Sequence, residues 1–443
     1  MTRRHPPRPF PAALALLGAL ACDRDPKFML EKKPIAEVRH MGFRQDIDDE
    51  RRGNASFDKA VFTREGNYLV TAYPGFRVWD PNSGALRRTI NGTLDGNDRI
   101  VVDGTFHRLL ARRGDVAPNS PLAPGLGIWD LRDGSLVGTI PETDRERAIP
   151  VGTTAGGGAV VIREGQVETW GLDGSGRRQV IAPPEGLRFC ERGTAGTVTY
   201  NDKQCFELSP SGRRLAITAW DPEVQPRVIH SLLVDLERGS VTPLLPSGDA
   251  LSQGIYGFAF SPDERTLAMG VFEGMWLLPL DDKGMAGAAA RGRFVAGEHK
   301  RNRFLTPMTF TADGSRIVAL GDQLQVSAFD AATGALVGRI TPPFEDWEGA
   351  LRVSADGARA VAYRFVSDIL VVMDGAAGTQ LGYLCPYFCN RFHNPVEVAF
   401  AVSPDGRRVA SGGRLGAGIW DTDADTLVAP LEDPALPPRR PRN

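Results

Sequence analysis

A fifteen-residue unit recurs along this chain: "FRVWDPNSGALRRTI" (76–90) returns as "LGIWDLRDGSLVGTI" (126–140), as "VSAFDAATGALVGRI" (326–340) and, loosely, as "AGIWDTDADTLVAPL" (417–431). The unit keeps an apolar-aromatic-Asp step, a polar turn bearing Gly, and a closing apolar run. A repeat of this kind is one supersecondary building block, which hides its apolar surface only by stacking on its neighbours.

Positions equivalent to Trp79 are read at Trp129, Trp170, Val234, Pro279, Phe329, Met373 and Trp420, which makes eight units. A second marker stands ahead of several of them: "SPDE" from Ser261, "TADG" from Thr311, "SADG" from Ser354 and "SPDG" from Ser403. Asp in such turns accepts local backbone hydrogen bonds, and Gly supplies positive φ. A short apolar strand follows each marker. Four short antiparallel strands at a period of about 40 to 50 residues point to a β-propeller blade. Helical periodicity is nearly absent. The expectation is all-β: a single closed propeller of four-stranded antiparallel blades, eight in number, with seven as the alternative.

The units resemble bacterial WD40-type or TolB-type propeller repeats over about Phe57 to Leu431. That resemblance implies a rigid scaffold presenting binding surfaces. The chain departs from the stricter WD40 pattern, because it has no Gly-His dipeptide and mostly lacks the regular Asp in the hairpin before the Trp-Asp step. The Asp-His-Ser/Thr-Trp hydrogen-bond network of that family is therefore not expected.

The amino terminus reads as an export signal. Arg3, Arg4 and Arg8 precede an apolar run (11–21) too short to span a bilayer, and Ala21 stands before Cys22. "ALAC" resembles a bacterial lipobox with Ala19 in place of the usual Leu, which implies lipid on Cys22 and anchoring without crossing. The organisation expected is a signal peptide over 1–21 and a tether over 22–50, in which 34–43 offers one further strand. The propeller follows over 51–432, and a mobile Pro/Arg-rich tail over 433–443. The chain is expected to be exported to the cell envelope, as a lipoprotein facing the periplasm or the cell surface.

With Cys22 assigned to lipid, four of the five cysteines remain, and nearness in sequence favours Cys190 with Cys205 and Cys385 with Cys389. The rival reading of "CPYFCNRFH" as a metal site through Cys385, Cys389 and His393 lacks a standard spacing and a fourth ligand. No metal and no cofactor are expected. Net charge is −2, and removal of the three leading arginines makes it about −5, so no basic field for nucleic acid is present.

Loop lengths divide the two rims. Turns after the first and third strands of each unit are mostly tight, whereas the long segments 114–125, 183–203, 221–227, 341–350 and 385–394 fall on the other rim, together with both expected disulfides. One long segment, 281–293, falls on the tight side. Aromatics outside the strand pattern sit on the long-loop rim. Phe344, Trp347, Tyr387, Phe388 and Phe392, with Arg391, are the binding-face candidates, because such side chains bury much area with few rotors. Trp79, Trp129, Trp170 and Trp420 are read as blade packing.

The expected function is a noncatalytic, envelope-tethered scaffold that binds a protein or an envelope polymer through its long-loop face. The alternative is a propeller hydrolase, lyase or oxidoreductase with a site at the central channel. The chain lacks G-x-S-x-G, H-E-x-x-H, a P-loop and a dinucleotide fingerprint, and its six histidines are scattered. The vicinal cysteines of quinone-dependent eight-bladed dehydrogenases are also absent. Asp346 and Glu348 flank Trp347, but spacing across loops does not establish acid-base work.

Overall fold

The computed structural model describes residues 59–72, 75–92, 100–113, 125–142, 147–190, 205–224, 228–245, 255–271, 274–281, 292–296, 305–320, 326–340, 349–364, 369–375, 379–384, 399–413, 416–423, 426–431 and 434. These residues form eight antiparallel sheets and no helix. Blade 1 comprises β1 (Lys59–Phe62), β2 (Leu69–Ala72), β3 (Phe76–Trp79) and β4 (Leu86–Ile90). Blade 2 comprises β5 (Val101–Asp103), β6 (Arg108–Arg112), β7 (Gly125–Asp130) and β8 (Leu136–Pro141). Blade 3 comprises β9 (Ile149–Thr153), β10 (Gly158–Arg163), β11 (Gln166–Gly171) and β12 (Arg177–Ile181). Blade 4 has a divided first strand, β13 (Arg188–Phe189) and β14 (Phe206–Leu208), then β15 (Arg214–Trp220), β16 (Ile229–Asp235) and β17 (Ser240–Pro243). Blade 5 comprises β18 (Ile255–Phe260), β19 (Thr266–Val271), β20 (Gly274–Pro279) and β21 (Arg293–Ala296). Blade 6 comprises β22 (Leu305–Phe310), β23 (Arg316–Leu320), β24 (Val326–Asp330) and β25 (Leu336–Ile340). Blade 7 comprises β26 (Gly349–Val353), β27 (Arg359–Arg364), β28 (Ile369–Asp374) and β29 (Thr379–Leu384). Blade 8 comprises β30 (Ala399–Val402), β31 (Arg408–Gly413), β32 (Gly416–Asp421) and β33 (Thr426–Pro430).

The chain is thus an eight-bladed β-propeller, and the seven-bladed alternative is excluded. First strands meet first strands around the axis: β5 meets β9, β14 meets β18, β18 meets β22, and β30 meets β1. Burial follows position in the blade. The middle strands, sandwiched between two neighbours, are apolar on both faces, as in β2 and β10. The outermost strands read as in β4 and β12, where arginines face water.

In blades 1 to 6 one apolar residue of the third strand keys the blade into the one before it. Trp79 lies in a cluster with Ala410, Ile419 and Leu431 of blade 8, and Trp129 packs with Val70, Phe76 and Val78 of blade 1. Trp170 packs with Leu126 and Ile128 of blade 2, Val234 with Val160 and Ile162 of blade 3, and Phe329 with Ala268 and Met275 of blade 5. In blade 5 the register corrects the sequence reading. Leu267, the second residue of its strand, faces Leu278, as Leu69 faces Trp79, so Leu278 holds the key position and Pro279 stands where blades 1, 2, 4, 6, 7 and 8 put Asp and blade 3 puts Gly171. Leu278 is fully buried against blade 4.

The aromatic-Asp step has a backbone cause. In blades 1, 2, 3, 6, 7 and 8 the pairing of third and fourth strands slips at the key residue, between Val78 and Trp79 in blade 1 and equivalently elsewhere. Such a bulge re-aims the side chain and sharpens the twist. The Asp that follows closes the next turn: Asp80 Oδ1 accepts from the Asn82 and Ser83 amides at 2.8 and 3.0 Å. Blade 4, whose key residue is Val234, pairs without the slip, and in blade 5 the pairing ends at Leu277, one residue before the key.

The ring closes without a shared blade. All four strands of blade 8 come from the carboxy-terminal end, with β33 in the outer position as expected for "TLVAPL", and all four of blade 1 from the first described residues. The seam between them is held by Phe62, Leu69 and Trp79 against Ala401, Ala410, Ile419 and Leu431. Segment 34–43 lies outside the described residues. Leu69→Ala should cost about 2–5 kcal/mol by removing buried volume at this seam, whereas Val337→Ala, 46% exposed, should stay within about 0.5 kcal/mol in urea denaturation.

Candidate functional site

Two rims frame the channel, and their turns differ in chemistry. On the rim of the first turns, a buried hydroxyl organises each tight loop. Ser354 Oγ donates to Asp356 at 2.5 Å and accepts the Arg359 amide at 2.9 Å, and Ser403, Ser261 and Thr311 do the same with Asp405, Asp263 and Asp313. Three further blades carry the motif under other letters: Thr63 accepts the Tyr68 amide, Thr154 the Gly158 amide, and Ser209 the Arg214 amide. In blade 2 Asp103 takes the place of the hydroxyl and accepts the Phe106 amide at 2.7 Å. The sequence markers had located four of these eight.

Each first turn is tied to the third–fourth turn of its own blade by one backbone bond. The amides of Leu131, Leu172, Leu236, Leu280, Ala331, Gly375 and Thr422 donate to the carbonyls of His107, Gly157, Arg213, Arg265, Ser315, Ala358 and Arg407. The equivalent donor in blade 1 would be Pro81, which has no N–H. Neighbouring first turns also touch. Thr105 donates to Glu65, Thr153 to Asp103, and the Ser211 amide to Glu264, while the Ala312 amide reaches the Asp356 carbonyl at 2.7 Å and the Asp356 amide the Pro404 carbonyl at 3.1 Å. Arg64 of blade 1 extends to the Pro210 carbonyl of blade 4. This rim is a hydrogen-bonded polar collar, although Arg359 Nε and Arg408 Nε are buried there without a partner among the described residues.

Beneath it, the first residue of the second strand stands opposite the Asp of the third as Arg108–Asp130, Arg214–Asp235, Arg316–Asp330, Arg359–Asp374 and Arg408–Asp421, and the first, fourth and fifth of these form ion pairs. Arg108 lies 2.6 Å from Asp130, and Arg132 lies 2.5 Å from the same carboxylate. The Arg132 hydrogen bond in particular, with the Arg132 amide and the Arg108 charge, holds Asp130 far below the usual carboxylate range. Asp80 is held near 2, first by its Arg87 partner, and Asp313 near 2, first by the Thr311 hydroxyl. Because these folded-state values lie below the ordinary 3.8, the stabilisation is present above about pH 4 and is lost as pH falls toward 2. Denaturation midpoints should therefore fall between pH 4 and pH 2, and Asp80→Asn with Asp313→Asn should flatten that slope.

The other rim is set by strand order. The connection 341–348 joins β25 to β26, and 385–398 joins β29 to β30, so both enter the ring on the long-loop rim, one at each side of blade 7. Phe344 and Trp347 belong to the first, and Tyr387, Phe388, Arg391 and Phe392 to the second; all six lie outside the described residues, as do Cys22, Cys385 and Cys389. Toward the first-turn end of β26, Arg352 places its guanidinium 5.7 Å from the centroid of Phe400 on β30. Burial lowers it to about 10, so it stays cationic at neutral pH.

The Cys190–Cys205 disulfide is formed, with its Cα atoms 6.0 Å apart. Its position corrects the sequence reading. It sits inside the divided first strand of blade 4, at the level of Thr218 of β15, and not in a rim loop. Among the described residues, no group of three or more His, Cys, Asp or Glu is arranged to hold a metal ion. No helix among them is long and apolar enough to cross a membrane. In blade 1 Trp79 Nε1 donates to Thr71 Oγ1 at 2.8 Å.

The fold defines the class: an eight-bladed β-propeller. Among 1584 matching solved chains is the crystal structure of the Cps50 (Swd1) β-propeller domain of Myceliophteria thermophila. It is similar at 12% identity and a TM-score of 0.49, over 73% of this chain and 98% of that one. No protein-family model matches the sequence, and no curated protein matches it.

Ser354→Ala should cost about 1–3 kcal/mol, because it strands the Arg359 amide in a buried turn, whereas the exposed Ser315→Ala should stay within about 0.5 kcal/mol. Thermal or urea unfolding of the two variants checks the difference.

Proposed function

We propose that this propeller is a noncatalytic scaffold, tethered to the cell envelope through lipid on Cys22, that binds a protein or an envelope polymer across its long-loop rim. The observation that supports the reading is strand order: the aromatic-bearing stretch 341–348 is the connection that leads into blade 7, and 385–398 is the one that leads out of it. Aromatic side chains beside a cation suit the desolvated centre of a protein-binding patch. The opposite rim supports the assignment by contrast, since its polar groups are largely taken up by bonds within and between blades. The short apolar run before Cys22 and the disulfide support export to an oxidising compartment.

The test is capture of partners from envelope extracts by the full-length protein, followed by affinity measurement on the captured component. Trp347→Ala and Tyr387→Ala should each weaken binding by about tenfold or more. Unchanged binding in both variants removes this face from the reading. Cys22→Ser should shift the protein from the membrane fraction to the soluble fraction, and an unshifted distribution rejects the lipid anchor.

A further inference from the structure

Blade 4 is the one blade whose innermost strand is built from two pieces. Arg188 and Phe189 pair with Trp220 and Ala219, and Phe206, Glu207 and Leu208 pair with Ile217, Ala216 and Leu215. The residue left between, Thr218, is shared by the two cysteines. The Cys190 amide donates to the Thr218 carbonyl at 2.9 Å, and the Thr218 amide donates to the Cys205 carbonyl at 2.8 Å. The register therefore runs unbroken across two residues separated by 15 in sequence, and the disulfide is the only covalent tie across that gap other than the chain between them.

The bridge also lies in the contact between blades. Both cysteines are buried in the cluster that joins blades 3 and 4, together with Phe189, Phe206, Val151, Val160 and Ile217. β13 has only two residues of its own, and without the bridge it must enter the sheet as an independent short segment. So short a strand has little to set against the entropy of ordering it.

We propose that the Cys190–Cys205 bond is a redox-dependent clamp that completes the innermost strand of blade 4: the disulfide form closes the seam between blades 3 and 4, and the dithiol form leaves it open at β13. In closing, one thiolate attacks a disulfide oxidant such as glutathione disulfide, giving a mixed disulfide and releasing one glutathione thiolate, and the second protein thiolate attacks the protein sulfur of that mixed disulfide and displaces the other glutathione. One S–S bond forms in the protein as the oxidant's S–S bond is reduced to two thiols, which take up the two protons and two electrons released. Completion of the ring is thereby coupled to the compartment the chain occupies. The clamp is independent of the binding-face reading.

Hydrogen exchange followed by mass spectrometry tests it, on the full chain carrying Cys22→Ser, Cys385→Ser and Cys389→Ser so that only this pair responds. In glutathione disulfide, amides at 188–190 and 218–220 should be protected; after reduction by a phosphine they should exchange about tenfold faster or more, while blade 8 amides at 408–413 keep their rates. Equal protection in both states overturns the clamp. Equal acceleration in blade 8 also overturns it, because the bond then acts as a general staple. Adding Cys190→Ser and Cys205→Ser should reproduce the reduced pattern and abolish the response to reductant; a remaining response assigns the effect elsewhere.

Discussion

Everything in this structure depends on the burial of one face of each sheet by the next sheet in the ring. A four-stranded blade has two apolar faces along its middle strands, and water cannot be kept from both by the blade alone. In blades 1 to 6 the key residue of the third strand solves the problem locally by reaching into the preceding blade. Where it is Trp or Phe, and at Met373, a bulge beside it turns the side chain, and where it is Val234 the sheet stays regular. Eight blades stacked in sequence have seven junctions and leave one open face at each end of the chain. The two ends then close on one another through Leu69, Trp79, Ile419 and Leu431.

That mode of closure separates stability from loop chemistry. The collar of first turns, clamped by Ser or Thr hydroxyls and by bonds between neighbouring turns, holds the strand ends of one rim in register. Backbone groups on that rim are largely consumed by the fold. The opposite rim receives the long connections, whose lengths the sheets do not constrain. Recognition on a rigid ring of this kind is most economically built there, on a surface that can vary without disturbing the inter-blade core.

Much of the architecture was legible because the repeat is written in residues with a local backbone role. Asp after the key aromatic closes a turn through its side chain, and the Ser-x-Asp-Gly marker is a hydrogen-bonded loop, so both survive as letters. The reading failed where the same geometry is made by other side chains. Thr63, Asp103, Thr154 and Ser209 do the work of the marker without its Asp-Gly, and Leu278 holds a key position that an adjacent Pro279 appeared to occupy. The arginine ladder was invisible because each pair joins different strands, and only the register brings Arg108 opposite Asp130 or Arg408 opposite Asp421. The pairing of Cys190 with Cys205 followed from proximity, but its depth did not, since a strand that stops and resumes in register leaves no local signature. The aromatic candidates Trp347 and Tyr387 lie outside the described residues.

The central claim is that side-chain packing between the first and last blades closes the ring without an exchanged strand. Spin labels at Ser83 of blade 1 and Arg407 of blade 8, both exposed on the same rim, measure it directly by pulsed dipolar spectroscopy. A closed seam gives one narrow distance population that persists up to the denaturant midpoint and disappears together with the global fold. A second, longer and broader population under native conditions, with the remaining blades intact, would contradict it.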